Sequence, residues 1–203
     1  MSSKTPRQRA LRQDAVENKR ELIRAVGELL RENPEEATMP AVAERAGLSL
    51  TTAYRYFPTL GDLHKTFMLS VIAQLGEVTS LLKSSGTIRF KEILYHWMQV
   101  VDMYGPAMVR VRSREGFLTR YHAGESHTRA MEQVWGKAIR GMLAERDIPS
   151  HAFPLALTVF NALANSREVI DIREATGMDY TQAAKYFSKL YQAALEALKP
   201  EVS

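Results

Sequence analysis

The stretch TMPAVAERAGLSLTTAYRYF, residues 38–57, decides the reading of this chain. Behind Thr38, a residue type that caps helices by accepting from a free backbone N–H, the apolar Val42, Ala43 and Ala46 recur at helical spacing. Gly47 stands where that short helix has to end, because glycine takes the positive φ of such an ending at least cost. Ser49 supplies a second cap, and another short helix runs to Phe57, where Pro58 and Thr59 break it. Small Ala43 lets the two helices approach, Gly47 permits the turn, and Leu48 plugs the space beneath it. That spacing predicts a helix-turn-helix, although αα-hairpins of other kinds can imitate it.

The second of these helices has an outer face of unusual chemistry. Ser49, Leu50, Thr51, Thr52, Tyr54, Arg55 and Tyr56 offer hydroxyls, one guanidinium and methyl groups, with no acidic residue among them. Such groups bond phosphates, base edges and thymine methyls. The competing reading makes Tyr54 and Phe57 core anchors and the threonines surface filler.

Working outward, nearly every segment shows a 3.6-residue period. Leu22, Ile23, Val26, Leu29 and Leu30 line a first helix that stops at Asn33-Pro34. A fourth helix spans about 60–82, and Ser84 to Thr87 read as a loop. Further helices are expected at about 88–103, 106–122, 127–146, 152–175 and 180–198. Gly105-Pro106 suggests a helix start, and Asp179 with Gln182 a capping box. The alternation Val109-Arg110-Val111-Arg112 is outweighed by its helical context. The expected class is all-α: an N-terminal three-helix domain with the helix-turn-helix, then a larger helical domain. The boundaries read as 1–18, 19–65 and 66–203.

Composition narrows the function classes. The 203 residues are 45% hydrophobic and 25% charged, ordinary globular material. No apolar run approaches the roughly 20 residues of a membrane span, and the polar N-terminus lacks a secretory signal's apolar stretch, so a cytoplasmic protein without membrane contact is expected. There are no cysteines, and the histidines at 64, 96, 122, 127 and 151 show no ligand spacing, so no metal or cofactor is expected. No nucleophile elbow, phosphate-binding loop or dinucleotide fingerprint points to an enzyme. The net charge of +4 is mild, but Lys4, Arg7, Arg9, Arg12, Lys19 and Arg20 precede the first apolar helix, opposed there by Asp14 and Glu17. Residues 1–18 read as a flexible basic arm, either a solvated tail or one that reaches phosphates or the minor groove.

The chain resembles the TetR family of bacterial transcriptional regulators. The resemblance rests on the amphipathic helix at 19–32, Thr38, Val42-Ala43, Ala46-Gly47-Leu48-Ser49, Tyr54-Arg55-Tyr56-Phe57-Pro58 and Asp62-Leu63, covering roughly 18–70. It implies a DNA-binding domain, a ligand-binding and dimerisation domain, and a homodimer on a palindromic operator in double-stranded DNA. It further implies a repressor that a small-molecule inducer releases. Base-edge contacts then fall to Leu50, Thr51, Thr52 and Arg55, and phosphate contacts to Thr38, Ser49, Tyr54 and Tyr56. One departure stands out: Leu60, flanked by Thr59 and Gly61, occupies the place where the family usually has a phosphate-binding lysine, which leaves Lys65 or the basic arm to compensate.

Beyond about residue 75 the resemblance lies in length and helical layout. A family ligand pocket would draw on His96, Trp97, Met98, Tyr104, Met108, Phe117, Tyr121, Trp135, Phe160 and Asn161, all of which could equally be core. Arg114 shares a helical face with Phe117 and Tyr121, and an acidic ligand or a protein carboxylate such as Glu115 or Glu125 would have to meet it. The apolar stripes of the last two helices carry Phe160, Leu163, Arg167, Ile170, Phe187, Leu190, Tyr191 and Ala194, and could form a four-helix interface with a second copy or face the monomer's own core.

Overall fold

The computed structural model describes residues 6–110 and 113–200, with side chains from residue 13 onward. Lys4, Val111, Arg112 and the side chains of Arg7, Arg9 and Arg12 lie outside the described residues. The described residues form helices and no strand: α1 (Pro6–Glu32), α2 (Met39–Arg45), α3 (Leu50–Tyr56), α4 (Leu60–Ser80), α5 (Gly86–Arg110), α6 (Phe117–His122), α7 (Ser126–Ala144), α8 (Phe153–Leu163), α9 (Ser166–Thr176) and α10 (Tyr180–Glu196). The chain divides into two units, 1–68 and 69–203, with the division inside α4. Among the described residues no helix is long and apolar enough to cross a membrane.

In the first unit, Leu22, Ala25, Val26 and Leu30 of α1, Val42 and Ala43 of α2, Ala53 of α3 and Leu63 of α4 are buried, with α1 packed on α2 and α2 on α3. The α2–α3 turn closes as a Schellman motif. Gly47 has φ +66, its N–H donates to Glu44 O, and Leu48 N–H donates to Ala43 O at 2.9 Å. Arg45 forks onto the Glu32 carboxylate at 3.0 and 2.9 Å, tying α2 to the end of α1. The first helix starts at Pro6 rather than near residue 19, so residues 6–18, expected as a flexible arm, form the first half of α1.

In the second unit α5 is packed by α7, α9 and α10. Its Phe90 stacks on Tyr191 with centroids 4.8 Å apart and meets Trp135 at 5.4 Å and Phe160 at 5.6 Å. Three boundaries differ from expectation. The helix expected to start at Pro106 is a continuation of α5, because burial of Gly105 and Ala107 holds the backbone helical through the proline. Only 117–122 of the expected 106–122 helix remains separate. The expected 152–175 helix is split, since Asn165 adopts extended backbone and its side chain accepts from Arg167 N–H and Glu168 N–H to start α9. The capping box of Asp179 and Gln182 is present, with both reciprocal bonds made.

One buried cation organises the entry to this unit. Arg89, 5% exposed, donates to Thr79 O and Leu82 O, both at 2.7 Å, and so satisfies carbonyls at the C-terminal end of α4. An Arg89→Met variant keeps the apolar stem but removes both bonds, leaving Thr79 O only the Leu82 N–H at 3.2 Å. It is expected to lower the stability of the second unit by about 1–3 kcal/mol, read by chemical denaturation.

Candidate nucleic-acid interface

The outer face of α3 is set by what its caps and inner residues hold in place. Ser49 Oγ accepts from Thr52 N–H at 3.1 Å and lies 2.9 Å from Thr52 Oγ1; Thr38 Oγ1 accepts from Ala41 N–H at 3.4 Å. Ala53 and Phe57 are buried, which turns Leu50, Thr51, Tyr54 and Arg55 outward. Tyr54 is 47% exposed and Leu50 41%, so Tyr54 is no core anchor, whereas Phe57 at 6% is one. Thr52 and Tyr56 are half-buried, and Thr38 and Ser49 are exposed at the helix starts. Arg55 carries its guanidinium 5.1 Å from the centroid of the Tyr56 ring.

Asn18, which sequence reasoning placed in the arm and assigned nothing, reaches this face. Its Nδ2 donates to Tyr56 Oη at 3.4 Å. That bond, with Arg55 close by, holds the phenol below its ordinary ionisation range against partial desolvation and the Asp14 carboxylate. Only the knowledge that α1 extends past its apolar stripe could have brought Asn18 forward. At the start of α4, Thr59 Oγ1 accepts from Asp62 N–H at 3.1 Å and donates to its carboxylate at 2.7 Å. Leu60 is half-buried beside them, and Lys65 is exposed.

The ligand candidates separate once the core is seen. Trp97, Met98, Phe117, Trp135 and Phe160 are buried, and Trp97 Nε1 donates to Ala164 O at 2.8 Å. Met108 and Tyr121 pack half-buried on that core, Tyr121 donating to Glu132 at 2.9 Å, and Asn161 is half-buried on α8. Arg114 is exposed in the segment between α5 and α6, so the shared helical face expected for it does not exist; the cation near Phe117 is Arg120, 5.9 Å from the ring centroid. His96 and Tyr104 do line a cleft of about 210 Å³ between α4 and α5, walled by Leu75, Val100 and Met103 and edged by Gln74 and Gln99. His96 Nδ1 lies 3.3 Å from Gln99 Oε1.

The expected interface residues also divide. Phe160, Phe187 and Tyr191 are each 1% exposed and belong to the monomer's own core, with Tyr191 donating to Ala156 O at 3.0 Å. Burial pushes that phenol's ionisation well up. Ile170 packs against Gly105, where an added Cβ would lie 2.6 Å from Ile170 Cδ1. Leu163, Leu190 and Ala194 are half-buried and Arg167 is exposed. The stripe on α10 is wide enough that its centre fills the core and one margin is left over. Beside that centre Tyr186 and Ala193 are exposed and Leu190 is half-buried on the core, while on α8, which packs against α10, Leu155 and Ala162 are exposed and Val159 is half-buried on the core.

No protein-family model and no curated protein sequence matches the chain. Solved structures do. A TetR transcriptional regulator from Rhodococcus sp. RHA1 superposes with a TM-score of 0.57 at 19% identity, covering 92% of this chain and 99% of that one. A tetR-family transcriptional regulator from Streptomyces coelicolor superposes with a TM-score of 0.54 at 17% identity, covering 91% and 90%. Over nine-tenths of its length, the chain has the all-helical fold of these TetR-type regulators.

Proposed function

We propose that the chain is a DNA-binding transcriptional regulator, working in the cytoplasm as a homodimer on a palindromic operator. In this reading residues 19–65 bind DNA, with the preceding residues adding basic charge, and 66–203 bind ligand and dimerise. The observation that carries it is the outer face of α3: hydroxyls, one guanidinium and an exposed tyrosine, with no carboxylate, on a helix fixed by a side-chain cap and a Schellman turn. Base edges fall to Leu50, Thr51, Thr52 and Arg55, and phosphates to Thr38, Ser49, Tyr54 and Tyr56. The mode is repression relieved by a small-molecule inducer. The cleft between α4 and α5 is its site: apolar walls to bury it and amide, imidazole and phenol groups to orient it. A ligand there bears on α4, the helix common to both units.

A single recognition helix reads too few bases to be selective, so specificity needs two copies about one groove repeat apart, roughly 34 Å or a multiple. The leftover apolar margin on α8 and α10 is the surface that a second copy would cover, helix pair against helix pair.

Two measurements test this. Tyr54→Ala and Thr51→Ala, both at exposed positions, should each weaken binding to the chain's own promoter DNA by about 1–3 kcal/mol in a mobility-shift titration while the thermal unfolding stays put. Unchanged affinity in both would remove α3 as the reading element. Tyr186→Glu places a charge on the exposed margin of α10 and removes only an edge contact to Phe187, so the protein should stay folded, run as a monomer in light scattering and lose operator binding. A Tyr186→Glu dimer that still binds would displace the interface from this face.

A further inference from the structure

Tyr56 has two hydrogen-bonding tasks to divide, and its neighbours in the first unit divide them. A phenol hydroxyl holds one proton to give and lone pairs to receive with, whereas a phosphate oxygen only receives. The Asn18 amide stands 3.4 Å from Tyr56 Oη as a donor, on the side of α1. It engages the oxygen and leaves the proton uncommitted. The Arg55 guanidinium lies over the ring, 5.1 Å from its centroid, and adds positive charge beside it. Asp14, one turn before Asn18, is the carboxylate that could draw the proton inward; its charge opposes ionisation of Tyr56 less than Asn18 and Arg55 favour it, and the net result is a more acidic, better-donating phenol.

We infer that Asn18 is a positioning residue for DNA binding, turning the Tyr56 hydroxyl into a one-way donor aimed at a backbone phosphate of duplex DNA. The inference rests on the DNA-binding function proposed above and adds to it a residue from the first half of α1. The residue type matters. An aspartate at position 18 would accept the phenol proton and put a negative charge next to the phosphate. An alanine would leave the hydroxyl free to rotate on a side chain that stays half-buried.

The experiment is a double-mutant cycle on the full chain, using a duplex that the wild-type protein itself selects from a randomised library. Asn18→Ala should weaken binding about threefold to tenfold, the range of one net hydrogen bond. Asn18→Asp should weaken it further. In a Tyr56→Phe background, Asn18→Ala should change affinity by less than about twofold, because its effect passes through the hydroxyl that background lacks. Ultraviolet titration should find Tyr56 ionising at higher pH in Asn18→Ala than in the wild type, assigned by difference against Tyr56→Phe. Equal losses in the two backgrounds would overturn the inference, and would be the result if Asn18 only supported the fold, since a folding defect survives the loss of the hydroxyl. An unmoved phenol titration, or an Asn18→Asp variant that binds as tightly as the wild type, would overturn it too. A wild-type chain that selects no duplex at all is a different failure, removing the DNA-binding function and this inference with it.

Discussion

The second unit depends on α5 being buried by α7, α9 and α10 at once, which leaves that helix little freedom in spacing or polarity. Close approach is met with glycine. A Cβ on Gly141 of α7 would lie 2.6 Å from the backbone nitrogen of Gly86, and Gly86 itself has φ +51, so here the end of one helix touches the start of another backbone to backbone. Polarity is met largely by directing buried donors at backbone carbonyls. Arg89 reaches the end of α4, Trp97 the residue that ends α8, and Tyr191 the backbone of α8. Trp135 Nε1 and the Nε of Arg89 are the exceptions in this unit, buried without a hydrogen-bond partner among the described residues. The division of work is plain: Phe90, Trp135, Phe160 and Tyr191 fill the centre, while Trp97 meets the residue that ends α8.

The first unit solves the opposite problem. Its α2 and α3 are seven residues each, too short to hold themselves together in water. Their order comes from the caps of Thr38 and Ser49, the Gly47 turn, and a few inward side chains, of which Ala53 and Phe57 secure α3. Because so few residues are needed inside, the rest of α3 is released to present hydroxyls and a guanidinium. A long α1 then matters for more than packing, since its extra turns bring Asn18 to the last turn of α3.

The legible parts of this fold were those with local chemistry. Pro34, Gly47 and Pro58, the Ser49 cap and the Asp179–Gln182 box each act within a few residues, and each marks a boundary in the structure close to where it was read. The illegible parts depended on something distant. Residues 6–18 have no apolar stripe to announce a helix, and Pro106 was overruled by the burial of its neighbours. Asn165 interrupts a continuous apolar period with a single cap, a signal as common inside loops as at helix starts. The same distinction runs through the candidate sites. The outer face of α3 was legible from its hydroxyl-rich, acid-free residue types, but periodicity only says that a face is apolar, not what covers it. Trp97, Trp135 and Phe160 therefore read alike with His96 and Tyr104, and only the packing of α4 and α5 separated cleft from core.

The stripe on α10 shows what that ambiguity hides. Tyr180, Ala183, Phe187, Leu190, Tyr191, Ala194 and Leu195 span more of the helix than one core contact can use. The half around Phe187, Tyr191 and Leu195 is consumed by α5 and α8. Single apolar residues on a surface need no explanation, but here Tyr186, Leu190 and Ala193 run at i, i+4 and i+7 beside Leu155, Val159 and Ala162 at the same spacing. In the homodimer proposed above, a twofold axis through this face would bring like residues together without leaving an open edge. On the proposed palindromic operator that symmetry is required, and the width of the α10 stripe and the shortness of α3 would then answer each other: one helix too small to be selective alone, one stripe wider than a single core contact uses.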